Sequence, residues 1–161
     1  MLVEHRGRVP TVDPSAYVAP TAVVCGDVRI GPDARVLFGA VVIGPHAHVN
    51  GATVGEGSFL ATGASLFPGV RLGRGVEVRI NGVVHVNTAL DDGAMVPIGW
   101  VAVGDPARIL PPGDHDGIWS IQEGLDFPGT VYGLPRDAPA RERMERQAAW
   151  FAAHRDDRIL G

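Results

Sequence analysis

The sequence has few of the features that mark several common protein classes. Cys25 is the only cysteine among 161 residues, so no disulfide framework can form within the chain. The 14 basic residues are outnumbered by 18 acidic ones and form no basic stripe, which argues against nucleic-acid binding. No apolar run approaches the roughly 20 residues needed to cross a bilayer. The chain also lacks a charged-then-apolar leader, from which we predict a cytoplasmic protein.

Aliphatic residues recur at every sixth position over most of the chain. A helix would repeat at intervals of three and four instead. A fixed six-residue period indicates a repeat architecture in which three short strands form one triangular coil of a parallel β-helix. The phase slips once, at Ile43 and Val49, and the short step from Val49 to Val54 restores it. The positions in phase are Val12, Val18, Val24, Ile30, Val36, Val42, Val54, Leu60, Leu66, Leu72, Val78, Val84, Leu90 and Val96.

Turn-forming residues follow the same period. The chain has 22 glycines and 13 prolines, and segments such as Gly31-Pro32-Asp33 and Gly73-Arg74-Gly75 come just after an aliphatic position. No single repeat can bury its own apolar residue, so stability must come from stacking neighbouring coils. The sequence therefore predicts an all-β solenoid, a parallel β-helix of about five coils in blocks of eighteen residues. The predicted coils are 12–29, 30–47, 48–65, 66–83 and 84–101.

The remaining segments are assigned by composition. Residues 1–11 are a lead-in, the β-helix covers 12–103, and 104–136 form a connector rich in glycine and proline. The connector's aromatic residues, Trp119, Phe127 and Tyr132, are predicted to be buried anchors. Residues 137–156 are dominated by good helix formers and predict a helix packed on the β-helix. Its predicted apolar stripe consists of Met144, Ala148, Phe151 and Ala152.

Two short segments resemble a known family. They are Gly26-Asp27-Val28-Arg29-Ile30-Gly31 within the coils and Val103-Gly104-Asp105-Pro106-Ala107-Arg108 at their exit. With the coils and the closing helix, these segments resemble the γ-class carbonic anhydrase-like proteins of the hexapeptide-repeat superfamily. The resemblance implies a left-handed β-helix and a homotrimer with a small-molecule substrate bound between subunits. The exit segment is shared with hexapeptide acyltransferases, so it indicates the superfamily rather than the chemistry.

The sequence departs from the family pattern where the family binds zinc. Pro45 stands where the first zinc-binding histidine is expected, and Asn50 stands where the second is expected. Val42-Ile43 leads directly into Gly44-Pro45, so the stretch that carries the third histidine is missing. The usual three-histidine site cannot be assembled from these positions, which argues against ordinary carbonic anhydrase activity.

Other polar residues suggest a relocated site. We predict a Zn²⁺ ion bound by His46, His48 and His85, because imidazoles suit zinc and three ligands leave a position for water. His48 and His85 are the predicted catalytic bases. By the repeat phase, His48, Asn50 and His85 point outward on one face, with His48 and His85 two coils apart. We expect these groups to meet in one pocket, drawn from more than one subunit. The residues predicted to orient an oxygen-rich substrate there are Asn50, Arg79, Asn81 and Asn87.

Each of these residues also has a simpler interpretation. His46 and His48 fit surface turns, and His85 fits a hydrogen-bonded interface. Arg79 fits an exposed pair with Glu77. Asn81 and Asn87 fit turn positions with unusual backbone angles.

Three function classes follow from the sequence. The first is a hydratase, lyase or hydrolase acting on a small carbonyl or carboxylate substrate. The second is a hexapeptide-repeat acyltransferase, and the third is a non-catalytic trimer with a structural or assembly role. A homotrimer is also indicated by large apolar residues predicted to point outward, because such groups are a liability on a monomer. They are Phe59, Phe67, Val83 and Met95.

Overall fold

The computed structural model describes residues 1–20, 22–36 and 47–160, and of Arg35 only the backbone. The chain winds into a left-handed β-solenoid of about five coils followed by a C-terminal helix, as predicted. The strands are very short because each lies between two corners of a triangular coil. They are β1 (Leu2–Glu4), β2 (Thr11–Val12), β3 (Tyr17–Val18), β4 (Val24–Cys25), β5 (Arg29–Ile30), β6 (Arg35–Val36), β7 (His48–Val49), β8 (Thr53–Val54), β9 (Phe59–Leu60), β10 (Ser65–Leu66), β11 (Arg71–Leu72), β12 (Glu77–Val78), β13 (Val83–Val84), β14 (Ala89–Leu90), β15 (Met95–Val96), β16 (Val101–Val103), β17 (Arg108–Leu110) and β18 (Arg158–Leu160).

The strands stack into three parallel walls. The first wall contains β2, β5, β8, β11 and β14, and the second contains β3, β6, β9, β12 and β15. The third wall contains β7, β10, β13 and β16, and β17 closes it as an antiparallel edge. A small separate sheet joins β1 to β4 in parallel and to β18 in antiparallel fashion, so the two ends of the described chain meet beside the first coil.

The core is a narrow column of aliphatic side chains inside the coils. In every two-residue strand from β4 to β15 whose burial is described, the second residue is buried. Leu60, Leu66 and Val84 are completely buried. Leu66 lies directly between Val49 and Val84 on the stacked strands. This register confirms that the six-residue period is the core pattern.

The coil boundaries differ from the predicted blocks of eighteen. Ile30 pairs with Val54 and Val36 with Leu60, so neighbours at this level are twenty-four positions apart. β7 pairs with β10, which places Val49 on the third wall at the end of the second coil. The short step from Val49 to Val54 therefore crosses into the third coil. The sequence separation between these paired strands is about one repeat longer than elsewhere, and residues 37–46 lie outside the described part of the chain.

Two asparagines turn corners between the later coils. Asn81 and Asn87 have φ angles of 56° and 54°, in the left-handed region that asparagine tolerates better than most residues. Their backbone N–H groups donate to the carbonyls of Thr62 and Pro68 on the preceding coil. This geometry confirms the interpretation of both asparagines as turn residues.

The segment after the coils contains more regular structure than the connector was predicted to have. Helix α1 (His115–Gln122) is capped by Asp114, whose carboxylate accepts from the Gly117 N–H. A 3₁₀ turn (Glu123–Leu125) and a π-helical turn (Pro128–Tyr132) follow. Helix α2 (Ala140–Ala153) and a 3₁₀ turn (His154–Asp156) lead to β18. No helix in the described ranges is both long and apolar enough to span a membrane.

Two predictions about this C-terminal segment were wrong. Trp119 is 60% exposed, because it lies on the outer side of α1, whereas Phe127 and Tyr132 are half-buried. The predicted apolar stripe of α2 is also wrong in part, because Met144 is 56% exposed, although Phe151, 58% exposed, borders the pocket beside the coils. Helix α2 instead turns Gln147 and Trp150 toward the coils, so a bulky amphipathic side chain rather than the aliphatic spacing sets its inner face.

Candidate functional site

The third wall carries two outward rows of side chains. One row precedes the inward residues and contains His48, Ser65 and Val83. The other follows them and contains Asn50, Phe67 and His85, whose N–H groups donate to carbonyls of the next coil. Because side chains alternate along a strand, both rows face away from the core. His48 and His85 are therefore in different rows and two coils apart, as the sequence predicted.

Phe67 lies between the two histidines. Its ring centroid is 5.5 Å from that of His48, edge to face, and 6.0 Å from that of His85, in a stacked arrangement. The phenyl ring occupies the direct path between the imidazoles. A single ion shared by His48 and His85 of one chain is therefore not favoured by this geometry.

The C-terminal segment forms an aromatic roof over these rows. Phe127 is 6.3 Å from Phe67 and 5.9 Å from Tyr132, and Tyr132 is 6.5 Å from Trp150, measured between ring centroids. Wall and roof enclose a pocket of about 370 Å³. The polar side chains that line it are His48, Asn50, Ser65, Tyr132, Gln147, Trp150 and His154.

Asn87 fastens the roof to the coils. Its side-chain N–H₂ donates to the Leu125 carbonyl at 3.1 Å and to the Thr130 hydroxyl at 2.8 Å. Asn87 was predicted to orient substrate, but both of its amide donors are directed at the protein's own roof. Its role in the described structure is to hold the segment that closes the pocket.

His48 is the titratable group of the pocket that is suited to proton transfer. Burial lowers the pKa of the half-buried His48 imidazole, so the ring is neutral near pH 7. A neutral imidazole can accept a proton from water or from a hydroxyl group. Asn50 borders the same pocket from the other row, where an amide can donate to a substrate oxygen.

His85 is placed differently from His48. It is only 8% exposed and does not line the pocket, because it lies under Phe67 and Phe127, whose ring centroids are 6.0 and 5.7 Å away. Burial lowers its pKa. Among the described residues, its Nδ1 is the buried side-chain polar atom that lacks a hydrogen-bond partner.

The other predicted site residues do not join this pocket within one chain. Arg79 and Asn81 lie at the end of the second wall, where the Arg79 guanidinium pairs with Glu77 at 3.1 Å and both side chains are about half exposed. Such an exposed pair contributes little stability. The prediction that Arg79 and Asn81 share a pocket with His48 concerns an interface between subunits, so it stays a prediction. His46 lies outside the described residues.

The residues at the family's zinc positions do not fit zinc. Asn50 presents an amide where an imidazole would be needed, and neutral amides suit hard cations rather than zinc. Pro45 has no donor atom in its side chain and lies outside the described residues. The candidate pocket must therefore be understood from its own residues.

A second polar cluster lies at the end of the solenoid and was missed by sequence reasoning. It contains His5, Cys25, His154 and Asp157, and one potential ligand atom from each residue lies within 4.8 Å of all the others. His5 belongs to the predicted lead-in, yet its side chain is only 17% exposed. The cluster could not be found by spacing, because β1 and β18 bring together residues more than 150 positions apart. Beside it lies a pocket of about 410 Å³ that shares Asn50, Trp150 and His154 with the roofed pocket.

Comparisons with known proteins indicate a remote relationship. No family model matches the chain. The mitochondrial γ carbonic anhydrases 1 and 2 of Arabidopsis thaliana are 28% and 25% identical to it, in alignments that cover 64% of this chain and 50% of each relative. The chain thus spans about half the length of these relatives.

The chain is also similar to solved structures of hexapeptide-repeat transferases. A hexapeptide transferase family protein from Anaplasma phagocytophilum is 19% identical, with 92% of this chain and 97% of that one covered and a TM-score of 0.35. A hexapeptide-repeat acetyltransferase from Vibrio cholerae, complexed with acetyl coenzyme A, is 15% identical, with 66% and 68% covered and a TM-score of 0.39.

Proposed function

We propose that this chain, which is similar to γ carbonic anhydrases over part of its length, adds water to a small carbonyl or carboxylate-derived substrate in the roofed pocket. The observation that carries this proposal is the half-buried imidazole of His48, whose pKa is lowered by burial, facing the roofed pocket beside Asn50. The pocket volume of about 370 Å³ suits a small molecule.

The proposed reaction needs one base and one hydrogen-bond donor. The His48 imidazole takes a proton from water as the water oxygen bonds to the substrate carbonyl carbon. The carbonyl π electrons move onto oxygen, and the Asn50 amide N–H donates to that developing anion. The imidazolium then returns its proton to the alkoxide in a hydration, or to the leaving group in a hydrolysis. The aromatic roof limits the access of bulk water and strengthens these interactions.

No metal enters this scheme, because the positions that hold zinc in the family carry Pro45 and Asn50 here. A zinc ion bound by His46, His48 and His85 of different subunits stays a prediction. It would compete with the general-base role of His48, since a ligating nitrogen cannot accept a proton. Metal content that depends on His48 would favour the zinc form of the site.

The same proposal includes a homotrimer built on the second wall. The third wall is roofed by the chain itself, and the first wall presents polar residues such as Thr11, Thr53 and Arg71. The second wall and its corners instead leave large apolar side chains uncovered. They are Met95 at 39% exposed, Ile80 at 46% and Ile98 at 62%. A repeated apolar strip of this kind supports subunit contact.

A matched pair of histidine variants tests the catalytic proposal. We expect His48→Ala to lower kcat/KM for 4-nitrophenyl acetate hydrolysis by about 10²–10⁴-fold. His115→Ala, in the exposed first turn of α1, should leave the rate unchanged. The wild-type rate should fall as pH drops through the lowered pKa of His48.

Three other outcomes would overturn the proposal. Equal rates for wild type and His48→Ala would remove His48 from the mechanism. Inactivity on small probes together with protection from melting by coenzyme A would favour acyl transfer. Inactivity without such protection would favour the structural or assembly role.

A further inference from the structure

The two ends of the chain and the first coil bring four potential metal ligands together. His5 follows β1, Cys25 ends β4, and His154 and Asp157 lie between α2 and β18. Val3 pairs with Cys25 on one side of β1 and with Ile159 on the other. This three-stranded sheet fixes the backbone on each side of the cluster, so the convergence is set by main-chain hydrogen bonds.

Asp157 is the centre of the cluster. Its two carboxylate oxygens each contact one imidazole, His5 Nδ1 and His154 Nδ1, at 2.6 Å. The Cys25 Sγ lies 3.8 Å from one of these oxygens. The two imidazole rings stack with a centroid distance of 4.2 Å, which aligns their nitrogens toward the same carboxylate. Cys25 is buried and the other three side chains are no more than 27% exposed, so the cluster is largely shielded from water.

We propose that His5, Cys25, His154 and Asp157 bind a zinc ion that joins both chain ends to the solenoid. Two imidazole nitrogens, a thiolate and a carboxylate oxygen are the ligand types that zinc takes, and four of them complete its tetrahedron. With metal–ligand distances of about 2.0–2.3 Å, ligand atoms in such a site lie roughly 3.3–3.7 Å apart. The four atoms here already lie within 4.8 Å of one another, so side-chain rotations are enough to bring them to these separations. Binding releases the Cys25 thiol proton and any proton held between Asp157 and the imidazoles.

A free-nucleophile role for Cys25 is less consistent with its surroundings. Burial, as the larger cause, and the nearby Asp157 carboxylate together raise the pKa of the Cys25 thiol to about 11. Activated thiols have positively charged surroundings instead. A divalent cation supplies that positive charge and deprotonates the thiol on binding.

The zinc ion would have a structural role separate from the catalytic proposal. All four coordination positions are filled by the protein, which is typical of structural rather than catalytic zinc. His154 also borders the roofed pocket at the end of α2. Zinc would therefore anchor one end of the roof, while Asn87 anchors the other.

Metal analysis of the full-length protein tests the site. We expect one zinc per chain after equilibration with zinc and gel filtration, and a higher melting temperature than in the chelator-treated protein. With Co²⁺ in place of zinc, we expect a thiolate-to-cobalt charge-transfer band, which only Cys25 can produce. Cys25→Ser should abolish the band, and Cys25→Ser and Asp157→Asn should each weaken zinc binding by at least about 10–100-fold.

Control variants make the outcome specific. His115→Ala and His48→Ala should keep the full zinc content, since neither residue belongs to the cluster. Melting of the chelator-treated Cys25→Ser and wild-type proteins should be alike, which would show that the variant folds. Zinc binding that survives Cys25→Ser and Asp157→Asn, or no binding at micromolar zinc, would overturn the proposal and leave a hydrogen-bonded His–Asp–His clamp. Loss of zinc in His48→Ala alone would show that the metal binds in the roofed pocket instead of the cluster. Loss of activity in His48→Ala with zinc retained would separate the two proposals.

Discussion

Histidines that cannot be told apart in the sequence have very different environments in the structure. His48 borders a pocket, His85 is buried under two phenyl rings, and His5 and His154 share one carboxylate. The repeat phase correctly placed His48 and His85 on the same wall, because alternation within the strands is set by the core. It could not place His5, His154 or Asp157, since these lie in segments without the period. Long-range strand pairing at the chain ends decides their position.

Buried neutral histidines should make the protein less stable in acid. Burial lowers the folded-state pKa of His85 below the value of about 6.5 expected in the unfolded chain. The unfolded state therefore binds the proton first, and stability is complete above pH 6.5 and falls as the pH drops toward the folded-state pKa. Each unit of pKa difference corresponds to about 1.4 kcal/mol.

We expect His85→Asn to reduce this acid sensitivity. Urea unfolding at pH 7.5, 6.5 and 5.5 should give a shallower decline in the free energy of unfolding for the variant than for the wild type. His115→Ala, which removes an exposed histidine, should follow the wild-type slope. Parallel declines for all three proteins would contradict the assigned role of His85.

At the scale of elements, the C-terminal segment shows where composition fails as a guide. Good helix formers correctly predicted a helix near 137–156, and α2 covers Ala140–Ala153. The predicted apolar stripe did not fully identify its inner face, because α2 faces aromatic side chains, Phe67 of the coils and Tyr132 of the roof, rather than an aliphatic groove. Trp150 meets that surface and also stacks under the Arg6 guanidinium at 5.3 Å. One amphipathic side chain therefore outweighs several smaller apolar ones.

The corner asparagines give a matched test of how the roof is held. Asn81 and Asn87 have nearly the same left-handed backbone, so replacement by glycine strains neither position. The Asn87 amide bonds Leu125 and Thr130 of the roof, whereas the contacts described for Asn81 are with its neighbouring coil. We expect Asn87→Gly to raise amide hydrogen exchange across 123–134 by severalfold, because each lost bond contributes about 1 kcal/mol.

Asn81→Gly should leave exchange in the roof unchanged. Mass spectrometry of exchanged peptides would compare the two variants with the wild type. Equal exchange of the roof in both variants would mean that aromatic packing, rather than Asn87, holds it in place.

The architecture of the coils follows from one six-residue repeat whose phase is interrupted once. The six-residue period predicted the solenoid, the inward residues and the shared wall of His48 and His85. It did not predict the longer separation between the paired strands β5 and β8. Val42 follows Val36 at the regular six-residue interval, and only strand pairing shows that Val54 lies over Ile30. Solenoid stability is a sum of contacts between neighbouring coils, so such an extra repeat can be accommodated without disturbing the coils above it.

The exposed strip of the second wall leads to the prediction for the assembly. Met95 and Ile98 lie at the last coil of this wall and are 39% and 62% exposed. In a trimer packed through this wall, a carboxylate at either position would be buried beside apolar groups at a cost of several kcal/mol. We expect Met95→Glu combined with Ile98→Glu to convert a trimer, three times the 16.9 kDa chain mass, to monomers at micromolar concentration in sedimentation. Thr53→Glu on the polar first wall should remain trimeric and control for the added charge. A wild-type monomer, or a double variant that sediments as a trimer, would exclude the second wall as the subunit contact.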